Sequence, residues 1–373
     1  MTLKVYIVIA SINELWNIGC INNEDFDYYN NIKIIVIDEG DVSVRRENEK
    51  LLENFNVEFY GPKERLEWFK SRFNKLAEKY ASVIPKRCHA ETSFGFLIAW
   101  EEDADIIIEI DDDVKLLDEY PLIEQRLDNL FTKSGITVYS KSKWYNTLEN
   151  LELNDTKIFP RGHPYDPTTR IQEYIWTNEH DECILNVGLW IGHPDLDALT
   201  ILYNNGLEGR CNILSKNIKR EKVIIGKGTY FAICSMNTSF RKEIIPAFYQ
   251  PYMKYLGIDR FDDIWSGILL KRIADHLDDK VCLGKPLVYH DKRPRNTFKD
   301  LKSELEGMAI NEILWRIVDQ IELSGEDYSE CYLELANGIE ESLDKFNEKL
   351  HKDFMKVQVE KMKLWLDIID KIK

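Results

Sequence analysis

Three consecutive aspartates stand at the end of an apolar run in residues 104–120, ADIIIEIDDDVKLLDEY. Like charges on neighbouring residues repel one another, so Asp111, Asp112 and Asp113 predict a positively charged ligand. Two carboxylates separated by one residue at a strand end can face one metal ion and the sugar of a nucleotide. Hard cations such as Mg²⁺ and Mn²⁺ prefer oxygen ligands and often bind through few protein groups. The spacing alone supports a solvated acidic turn equally well.

Two loops add side chains of the kind that bind phosphates and sugars. Arg161 lies in the Pro- and Gly-containing stretch PRGHPYD, where a guanidinium suits a bidentate diphosphate contact. An ordinary surface arginine paired with an acid is the alternative. Asp262 and Asp263, in RFDDIWSG, stand at the start of a predicted helix. They can bind sugar hydroxyls or act as a base, although capping of the helix is the stronger interpretation for one of the two.

A basic loop follows a predicted strand near the end of the sheet. In VYHDKRPR, His290 ends the strand, and Lys292, Arg293 and Arg295 follow it. An imidazole can complete a metal shell, and the cations can hold a phosphate. A structural histidine beside a solvated basic turn is an alternative of equal weight.

Strands and helices alternate up to residue 113, which predicts a mostly parallel α/β sheet flanked by helices. The predicted strands are 3–10, 33–38, 56–61 and 105–110, and the predicted helices are 13–21, 63–81 and 87–101. Ligands bind outside the carboxyl ends of the strands in such sheets. Ser11, Asp38 and the three aspartates are therefore expected at one edge, as parts of one binding site.

The second half of the chain mixes strands and loops with a clear helix over 260–277, and it becomes helical from about residue 300. We expect a catalytic domain over 1–298 and a helical C-terminal extension over 299–373 packed on it. Six apolar residues form a one-sided stripe in the helical part of the chain: Ile339, Leu343, Phe346, Leu350, Phe354 and Val357. A helix packed on its own domain explains the stripe better than a subunit interface does.

Composition narrows the class of protein. The 373 residues carry a net charge of −16, which argues against a nucleic-acid backbone as the main partner. The seven cysteines are scattered and contain no C-x-x-C, so neither a disulfide framework nor a zinc site is indicated. A reducing cytoplasm fits this usage best. The longest apolar runs have the length of strands, so we expect no transmembrane helix.

Several stretches in one order resemble the reversibly glycosylated polypeptide family, the plant UDP-arabinopyranose mutases and their relatives. They are IDDDV (110–114), RGHPYD (161–166), GLW with PDLDALT (188–200), KGTYFAICSMNTSF (227–240), RFDDIWSG (260–267), ADHL (274–277), VYHDK (288–292) and CYLEL (331–335). The resemblance runs from the first strand to near the C-terminus, and the KGT…MN and FDDIWSG blocks are its most specific parts.

The resemblance implies a fold similar to that of the glycosyltransferase-A enzymes, with a D-x-D motif and a divalent metal, Mn²⁺ or Mg²⁺. By the same resemblance, Asp113 and His290 would bind the metal, and Asp111 would contact the ribose or the metal. Asp38 would lie near the base and Arg87 near the nucleotide. The complete set expected at the nucleotide-sugar is Ser11, Asp38, Arg87, Asp111, Asp112 and Lys292.

The family's activity implies an intramolecular transferase that interconverts the pyranose and furanose forms of a UDP-sugar. Arg161 falls on the family's arginine that becomes glycosylated and is required for activity, and Asp262 or Asp263 would hold sugar hydroxyls. One alternative is a metal-dependent glycosyltransferase with a separate acceptor. Another is a self-glycosylating carrier in polysaccharide synthesis. A homo-oligomer is a further expectation.

The sequence departs from the family in the loop of Arg161. His163 and Tyr165 stand where the family has Tyr and Phe. A second family arginine falls on Thr168, with Arg170 two places on. The segment from about 63 to 83 is an insertion relative to the plant proteins. The departures in the loop concern the sugar end of the expected site rather than the nucleotide end.

Overall fold

The structure is a computed structural model that describes residues 3–16, 31–117, 123–154 and 158–373. Most of the helix predicted over 13–21 lies outside these ranges. The strands are β1 Val5–Ser11, β2 Ile32–Asp38, β3 Val57–Tyr60, β4 Ile106–Ile110, β5 Val114–Leu116, β6 Ile136–Ser140, β7 Trp144–Tyr145, β8 Leu151–Leu153, β9 Tyr174–Thr177, β10 Leu185–Gly192, β11 Ser215–Ile218, β12 Lys222–Ile225, β13 Tyr230–Phe231, β14 Asn237–Arg241 and β15 Val281–His290.

The helices surround the sheet and dominate the C-terminal part of the chain. They are α1 Val42–Leu51, α2 Pro62–Phe73, α3 Ala77–Ala81, α4 Ser93–Glu101, α5 Glu124–Phe131, α6 Ala198–Tyr203, α7 Asp262–Leu277, α8 Thr297–Gln320, α9 Tyr328–Glu341 and α10 Lys349–Lys371. Within the described part of the chain, no helix combines the length and the apolar character needed to cross a membrane.

One large sheet of thirteen strands runs through the described residues. Its main path has the order β3-β2-β1-β4-β14-β10-β15-β12-β6-β9, and β5, β8 and β11 attach beside it. β3, β2, β1 and β4 are parallel to one another. Beyond β4 the sheet is mixed: β14 runs antiparallel to both β4 and β10, while β10 and β15 are parallel. The predicted α/β architecture is confirmed, but the sheet is mixed rather than mostly parallel. Its continuous parallel part is β3-β2-β1-β4, and β10–β15 and β12–β6 are two further parallel pairs.

The N-terminal strands are covered on both faces, which explains their β-branched sequences. Val5 and Ile7 of β1 and Ile106 of β4 have no exposed surface. Helix α4 packs closely on β1, since a Cβ added at Gly95 would lie 2.3 Å from a methyl carbon of Val8. This packing holds β1 in place, and β4 pairs with β1, so the ends of the strands meet at one edge.

The C-terminal helices pack on the sheet and its flanking elements. In α10, Trp365 is fully buried, donates to the Ile245 carbonyl at 3.3 Å and stacks on Tyr249 with 5.1 Å between ring centroids. The indole of Trp100 in α4 donates to the Ile369 carbonyl at 3.1 Å. These helices extend the core of the sheet, and a domain boundary between residues 298 and 299 stays a prediction.

The apolar stripe of the C-terminal extension is not one continuous helix. Helices α9 and α10 are separate and are joined through a 3₁₀ turn over Leu343–Lys345. Ile339, Phe346 and Phe354 are buried in the core, whereas Leu350 is 37% exposed. The expected packing on the chain's own domain therefore holds for these three residues and for Leu343, which is partly buried against the same core. The spacing of apolar residues did not reveal the break, because both helices happen to continue the same periodicity.

Replacing Trp365 with alanine should destabilise the protein strongly. The substitution leaves a cavity under α10, so we expect the free energy of unfolding to fall by about 3–5 kcal/mol. Urea denaturation followed by circular dichroism measures this change. Leu350→Ala in the same helix, at a 37% exposed position, should cost less than about 1 kcal/mol. Equal costs for the two variants would mean that Trp365 does not anchor α10.

Candidate active site

The carboxyl ends of β1, β2 and β4 meet at one edge of the sheet. The register places Ser11 beside Asp38. Asp112, just after β4, accepts hydrogen bonds from Ser11 Oγ and Asn13 Nδ2, each at 3.0 Å. Asp38 is buried and accepts the Gly40 N–H at 3.0 Å, without lining the cavity at this edge. Its expected contact with a base therefore stays a prediction.

A cavity of about 440 Å³ opens at this edge, and residues 10–13, 87–89, 111–113 and 293–295 line it together with Glu91. We call it the strand-end cavity. It brings together groups that are widely separated in sequence, including carboxylates after β4 and cations from the basic loop. Its volume and polar lining suit a small polar ligand.

A smaller cavity of about 150 Å³ adjoins the first. We call it the Arg161 cavity, because Arg161 lines it together with Asp262, Asp263 and Lys292. The residues that line both cavities are His89, Asp111, Asp113 and Arg295. The two cavities therefore meet at the carboxylates that follow β4.

Asp113 and His290 lie side by side where the cavities meet. Asp113 Oδ2 is 3.7 Å from His290 Nε2, and His290 Nδ1 is 2.6 Å from the His193 carbonyl. A carbonyl only accepts hydrogen bonds, so Nδ1 donates and Nε2 is left beside the carboxylate. An imidazole oriented in this way by a carbonyl is typical of a metal ligand. Asp111 lines the same cavity, so these donors are of the chemical kind that Mn²⁺ or Mg²⁺ takes, but in this structure the ligand atoms of Asp111, Asp113 and His290 do not all lie within 4.8 Å of one another.

Asp111 is held by a histidine that the sequence analysis did not assign. Asp111 Oδ1 lies 2.8 Å from Nε2 of His89, and Nδ1 of the same ring lies 3.1 Å from Asp262 Oδ2. Burial lowers the pKa of His89, but the two carboxylates outweigh burial and raise it well above its ordinary value. His89 thus bridges the end of β4 and the start of α7.

The guanidinium of Arg161 is buried between two carboxylates. Nε donates to Asp195 Oδ2 at 3.0 Å, and Nη2 lies 2.8 Å from Asp195 Oδ2 and 3.1 Å from Asp263 Oδ2. Nη1 donates to Asp263 Oδ1 at 3.3 Å and to the Arg260 carbonyl. Burial lowers the pKa of Arg161, yet the carboxylates raise it well above its ordinary value. The donors on all three nitrogens are engaged, so the side chain is held as a cation in one orientation.

Asp195, Cys234 and Asp263 form a cluster of metal-type ligand atoms within 4.8 Å of one another. The guanidinium of Arg161 already lies between the two carboxylates of this cluster. Their charge is therefore met by the protein itself, and a metal ion does not fit there. The assignment of Asp113 and His290 as metal ligands stays a prediction.

Neither Asp262 nor Asp263 is the N-cap of α7, so the N-cap interpretation is wrong, although Asp263 Oδ1 accepts the Ile264 N–H of the first turn at 2.9 Å. The N-cap position is Phe261, and both aspartates lie in the first turn, where the helix dipole favours negative charge. Burial raises the pKa of both carboxyls. For Asp262 the bond to His89 outweighs burial and the net shift is downward, whereas the pKa of Asp263 stays raised. Two neighbouring carboxyls with opposite shifts are suited to act as acid and base.

The loop that carries Arg161 is fixed by a close approach to α7. Gly162 has a φ of 86°, and a Cβ added there would lie 2.6 Å from carbon atoms of Ile264. Asn311 of α8 donates to the Gly162 carbonyl at 2.9 Å. Only glycine suits this left-handed, crowded position, and it sets the direction of the preceding arginine.

The residues that depart from the family do not line the Arg161 cavity. His163 Nε2 is bonded to the Thr169 carbonyl at 3.0 Å, and burial lowers the pKa of His163 to about 3. The guanidinium of Arg170 stacks over Tyr165, 4.0 Å from the ring centroid. Thr168 is exposed. These side chains stabilise the loop.

Lys292 is the most unusual cation of the site. It is 4% exposed, it lines the Arg161 cavity, and its ammonium has no hydrogen-bond partner within the described residues. Burial is the main reason that the pKa of Lys292 is lowered. A buried charge without a partner is unfavourable, so Lys292 points to a ligand that supplies the opposite charge.

His89, Asp195 and Arg260 belong to the site but escaped the sequence analysis. His89 lies within the predicted helix 87–101, and Asp195 lies within the PDLDALT block. No chemical motif surrounds His89, and the resemblance of the PDLDALT block assigned no role to Asp195. Their signal is spatial, since each contacts a charged residue more than 30 positions away: Asp262 for His89, Arg161 for Asp195 and Glu304 for Arg260.

Asp195→Asn should weaken the ion pairs that Asp195 and Asp263 make with Arg161, which we call the clamp. Breaking a buried ion pair lowers the free energy of unfolding by about 3–5 kcal/mol at pH 7. Burial raises the pKa of Asp195, but Arg161 outweighs burial and the net shift is strongly downward. The stabilisation is therefore present above the unfolded pKa of about 4 and is lost as the pH falls towards the folded one. Urea titrations from pH 7 to pH 2 measure the difference between the two proteins.

The matched control for this prediction is Asp197→Asn. Asp197 caps α6 by accepting the Thr200 N–H at 2.7 Å, and asparagine caps a helix about as well. Its cost should stay below about 1 kcal/mol. A wild-type advantage over Asp195→Asn that grows as the pH falls would contradict the clamp.

Comparison with known proteins shows which family this chain matches. The model of the reversibly glycosylated polypeptide family matches residues 2–373. UDP-arabinopyranose mutase 3 of Arabidopsis thaliana is 29% identical over 347 residues, which are 88% of this chain and 84% of that protein. UDP-arabinopyranose mutase 1 of Oryza sativa subsp. japonica is 26% identical over 371 residues, 95% of this chain and 90% of that protein.

A similar solved structure is that of mouse xyloside xylosyltransferase 1 in its apo form. It covers 38% of this chain and 53% of that chain at 11% identity, with a TM-score of 0.20. The family match, by contrast, extends along almost the whole sequence. The chain belongs to the reversibly glycosylated polypeptide family.

Proposed function

We propose that the protein is a metal-dependent UDP-sugar mutase that interconverts pyranose and furanose forms of the sugar. Relatives at 26–29% identity are named UDP-arabinopyranose mutases. The observation that carries the proposal is the junction of two cavities at Asp111 and Asp113. A nucleotide diphosphate in the strand-end cavity would present its sugar to the Arg161 cavity.

In this proposal the site resembles that of a glycosyltransferase-A enzyme, with the nucleotide in the strand-end cavity. Arg87, Arg293 and Arg295 add three cations to the lining of that cavity. Glu91 and Asp111–Asp113 line the same cavity, so these cations, together with a bound divalent metal, would offset the local negative charge and admit an anion. Guanidinium groups suit diphosphate oxygens because they donate in pairs.

Asp111, Asp113 and His290 are the residues that would hold a divalent cation. When bound, Mn²⁺ or Mg²⁺ would stabilise the charge that develops on the diphosphate. Lys292 would add a further positive charge from the Arg161 cavity, where it lacks a protein partner. The leaving group would thus meet preorganised positive charge.

The sugar would lie in the Arg161 cavity, next to the guanidinium. In a covalent route, a bond from Arg161 Nη2 to the anomeric carbon forms as the bond to the diphosphate breaks, and the electron pair leaves with UDP. The Nη2 proton passes to Asp263 Oδ2, 3.1 Å away. Because Asp195 and Asp263 stabilise the cationic form of Arg161, this route needs Asp263 to accept the Nη2 proton as the new bond forms. A cation that holds the departed diphosphate is the alternative role for Arg161.

The change of ring needs proton transfer while the sugar is held on nitrogen. The ring oxygen takes a proton as its bond to the anomeric carbon opens, and a different hydroxyl loses a proton as the new ring closes. Asp262 and Asp263, whose pKa values are shifted in opposite directions, would supply the acid and the base. Reversal of the first step then returns UDP-sugar.

Three predictions from the sequence accompany this proposal: a cytoplasmic location, a homo-oligomer and a domain boundary near residue 298. Light scattering of the purified protein measures the oligomeric state. Limited proteolysis with mass mapping tests the boundary, because exposed linkers are the preferred cleavage sites.

Incubation with UDP-arabinopyranose and Mn²⁺, followed by chromatography of the nucleotide sugars, should yield the furanose form. Arg161→Lys keeps a positive charge but loses the forked guanidinium, including the Nη2 atom beside Asp263 that would bond to the sugar. We expect its rate to fall roughly 100-fold or more. Intact mass after incubation with the UDP-sugar detects the glycosylated intermediate, which the variant should lack.

Arg170→Lys is the matched control for this experiment, because Arg170 stacks on Tyr165 outside the cavity. Its rate should remain within about threefold of wild type. Wild-type turnover by Arg161→Lys, or no isomerisation of any UDP-sugar by the wild type, would contradict the proposal. UDP release that depends on an added glycan would instead indicate a glycosyltransferase, and a stable adduct without free product would indicate a carrier.

Lys292→Met should make the protein more stable without ligand and weaken its binding of UDP. The change removes a buried unpaired charge, so the free energy of unfolding without ligand should rise by about 1 kcal/mol. The dissociation constant for UDP should rise about tenfold or more, because a cation near the diphosphate is lost. Urea denaturation and calorimetry measure the two quantities. Lys299→Met, at an exposed position, should change neither. Unchanged UDP affinity in Lys292→Met would remove this lysine from the site.

A further inference from the structure

We propose that His89 is a positioning residue that couples the nucleotide half of the site to the sugar half. The inference rests on the proposed function, and it concerns a residue that neither the sequence motifs nor the names of the relatives indicate. The observation behind it is a single imidazole whose two ring nitrogens each meet an aspartate from a different half: Asp111 and Asp262.

The imidazole of His89 lies where the two cavities meet and lines both of them. Nε2 is 2.8 Å from Asp111 Oδ1, and Nδ1 is 3.1 Å from Asp262 Oδ2. Two further groups face the ring: Glu109 Oε1 of β4, 3.6 Å from Nε2, and Ser235 Oγ, 3.4 Å from Nε2. Since carboxylates accept hydrogen bonds, both ring nitrogens donate, and the ring fixes both aspartates at once.

The fold fixes the backbone of His89, so the position of the ring is set before any ligand binds. The residue opens a 3₁₀ turn over His89–Thr92. Thr92 Oγ1 lies 3.0 Å from the His89 carbonyl and 2.9 Å from Gln250 Oε1. Ala90 and Thr92 have no exposed surface. Only the side-chain torsions of His89 remain free to adjust.

Because His89 contacts both aspartates, a shift in the position of Asp111 also changes the position of Asp262. A ligand that binds Asp111 competes with His89 Nε2 for the same carboxylate. Any shift of the ring then alters the hydrogen bond that orients Asp262 in the Arg161 cavity. Occupation of the strand-end cavity should therefore change the affinity for the sugar, and His89 should be required for that coupling.

Calorimetric titrations with UDP and with UDP-arabinopyranose, both in the presence of Mn²⁺, test the coupling in the full chain. The ratio of the two dissociation constants isolates the contribution of the sugar, because effects on the nucleotide cancel. His89→Phe keeps a ring but has no donors, and we expect it to change this ratio at least about fivefold. Asp262→Asn should change the ratio to a similar extent, and the double variant should change it no further.

A purely structural role for His89 would lower both affinities together and leave the ratio unchanged, and that result would overturn the inference. Changes that multiply in the double variant would overturn it as well. His276→Phe is the control, since that histidine is bonded to the Gly325 carbonyl near the end of α7, and it should keep the wild-type ratio. Circular dichroism checks that each variant folds.

If His89→Phe does not fold, His89→Gln takes its place, because glutamine can reach only one of the two aspartates as a donor. It should change the ratio in the same direction, and an unchanged ratio would overturn the inference. Absence of binding of both ligands to the wild type would contradict the proposed function itself. Normal wild-type binding with an unchanged variant ratio would contradict only the role of His89.

Discussion

The ion pairs of Arg161 hold together segments that lie far apart in the sequence. They join the loop of the arginine to Asp195, after β10, and to Asp263 at the start of α7. Charges removed from water cost several kcal/mol each unless geometry and hydrogen bonds satisfy them. Here the donors on all three guanidinium nitrogens are engaged, so the segments are stable only in one mutual arrangement. The smaller cavity of the site exists because these segments meet.

Helix α8 of the C-terminal part of the chain contacts the segments around Arg161 and stabilises their arrangement. Glu304 of α8 pairs with Arg260, whose carbonyl accepts a hydrogen bond from Arg161. Asn311 of the same helix holds the Gly162 carbonyl. The helical part of the chain is therefore built into the frame of the site, although the sequence suggested an extension that begins at residue 299. The charged groups face each other across elements that no local sequence pattern connects.

Much of the fold could be predicted from the sequence, because buried parallel strands carry a strong local signal. The β-branched runs located β1, β2, β3 and β4, and the rule for strand ends placed the three aspartates at the correct edge. The sequence-based predictions were wrong where one local pattern is compatible with two different structures. Acidic residues before an apolar helix resemble caps, yet Asp262 and Asp263 are held by His89 and Arg161. The C-terminal stripe resembles one helix, yet Leu343–Lys345 interrupts it.

The sequence by itself determined which strands form the buried half of the sheet, that acidic groups gather at their ends, and that the chain resembles one family along its length. Those properties follow from local side-chain periodicity and from motifs a few residues long. Only the tertiary structure decided that His89 joins Asp111 to Asp262, and that Asp195 completes the clamp on Arg161. Such contacts depend on where whole elements lie in space. Their partners are separated by up to 173 positions, and no short-range pattern encodes a distance of that kind.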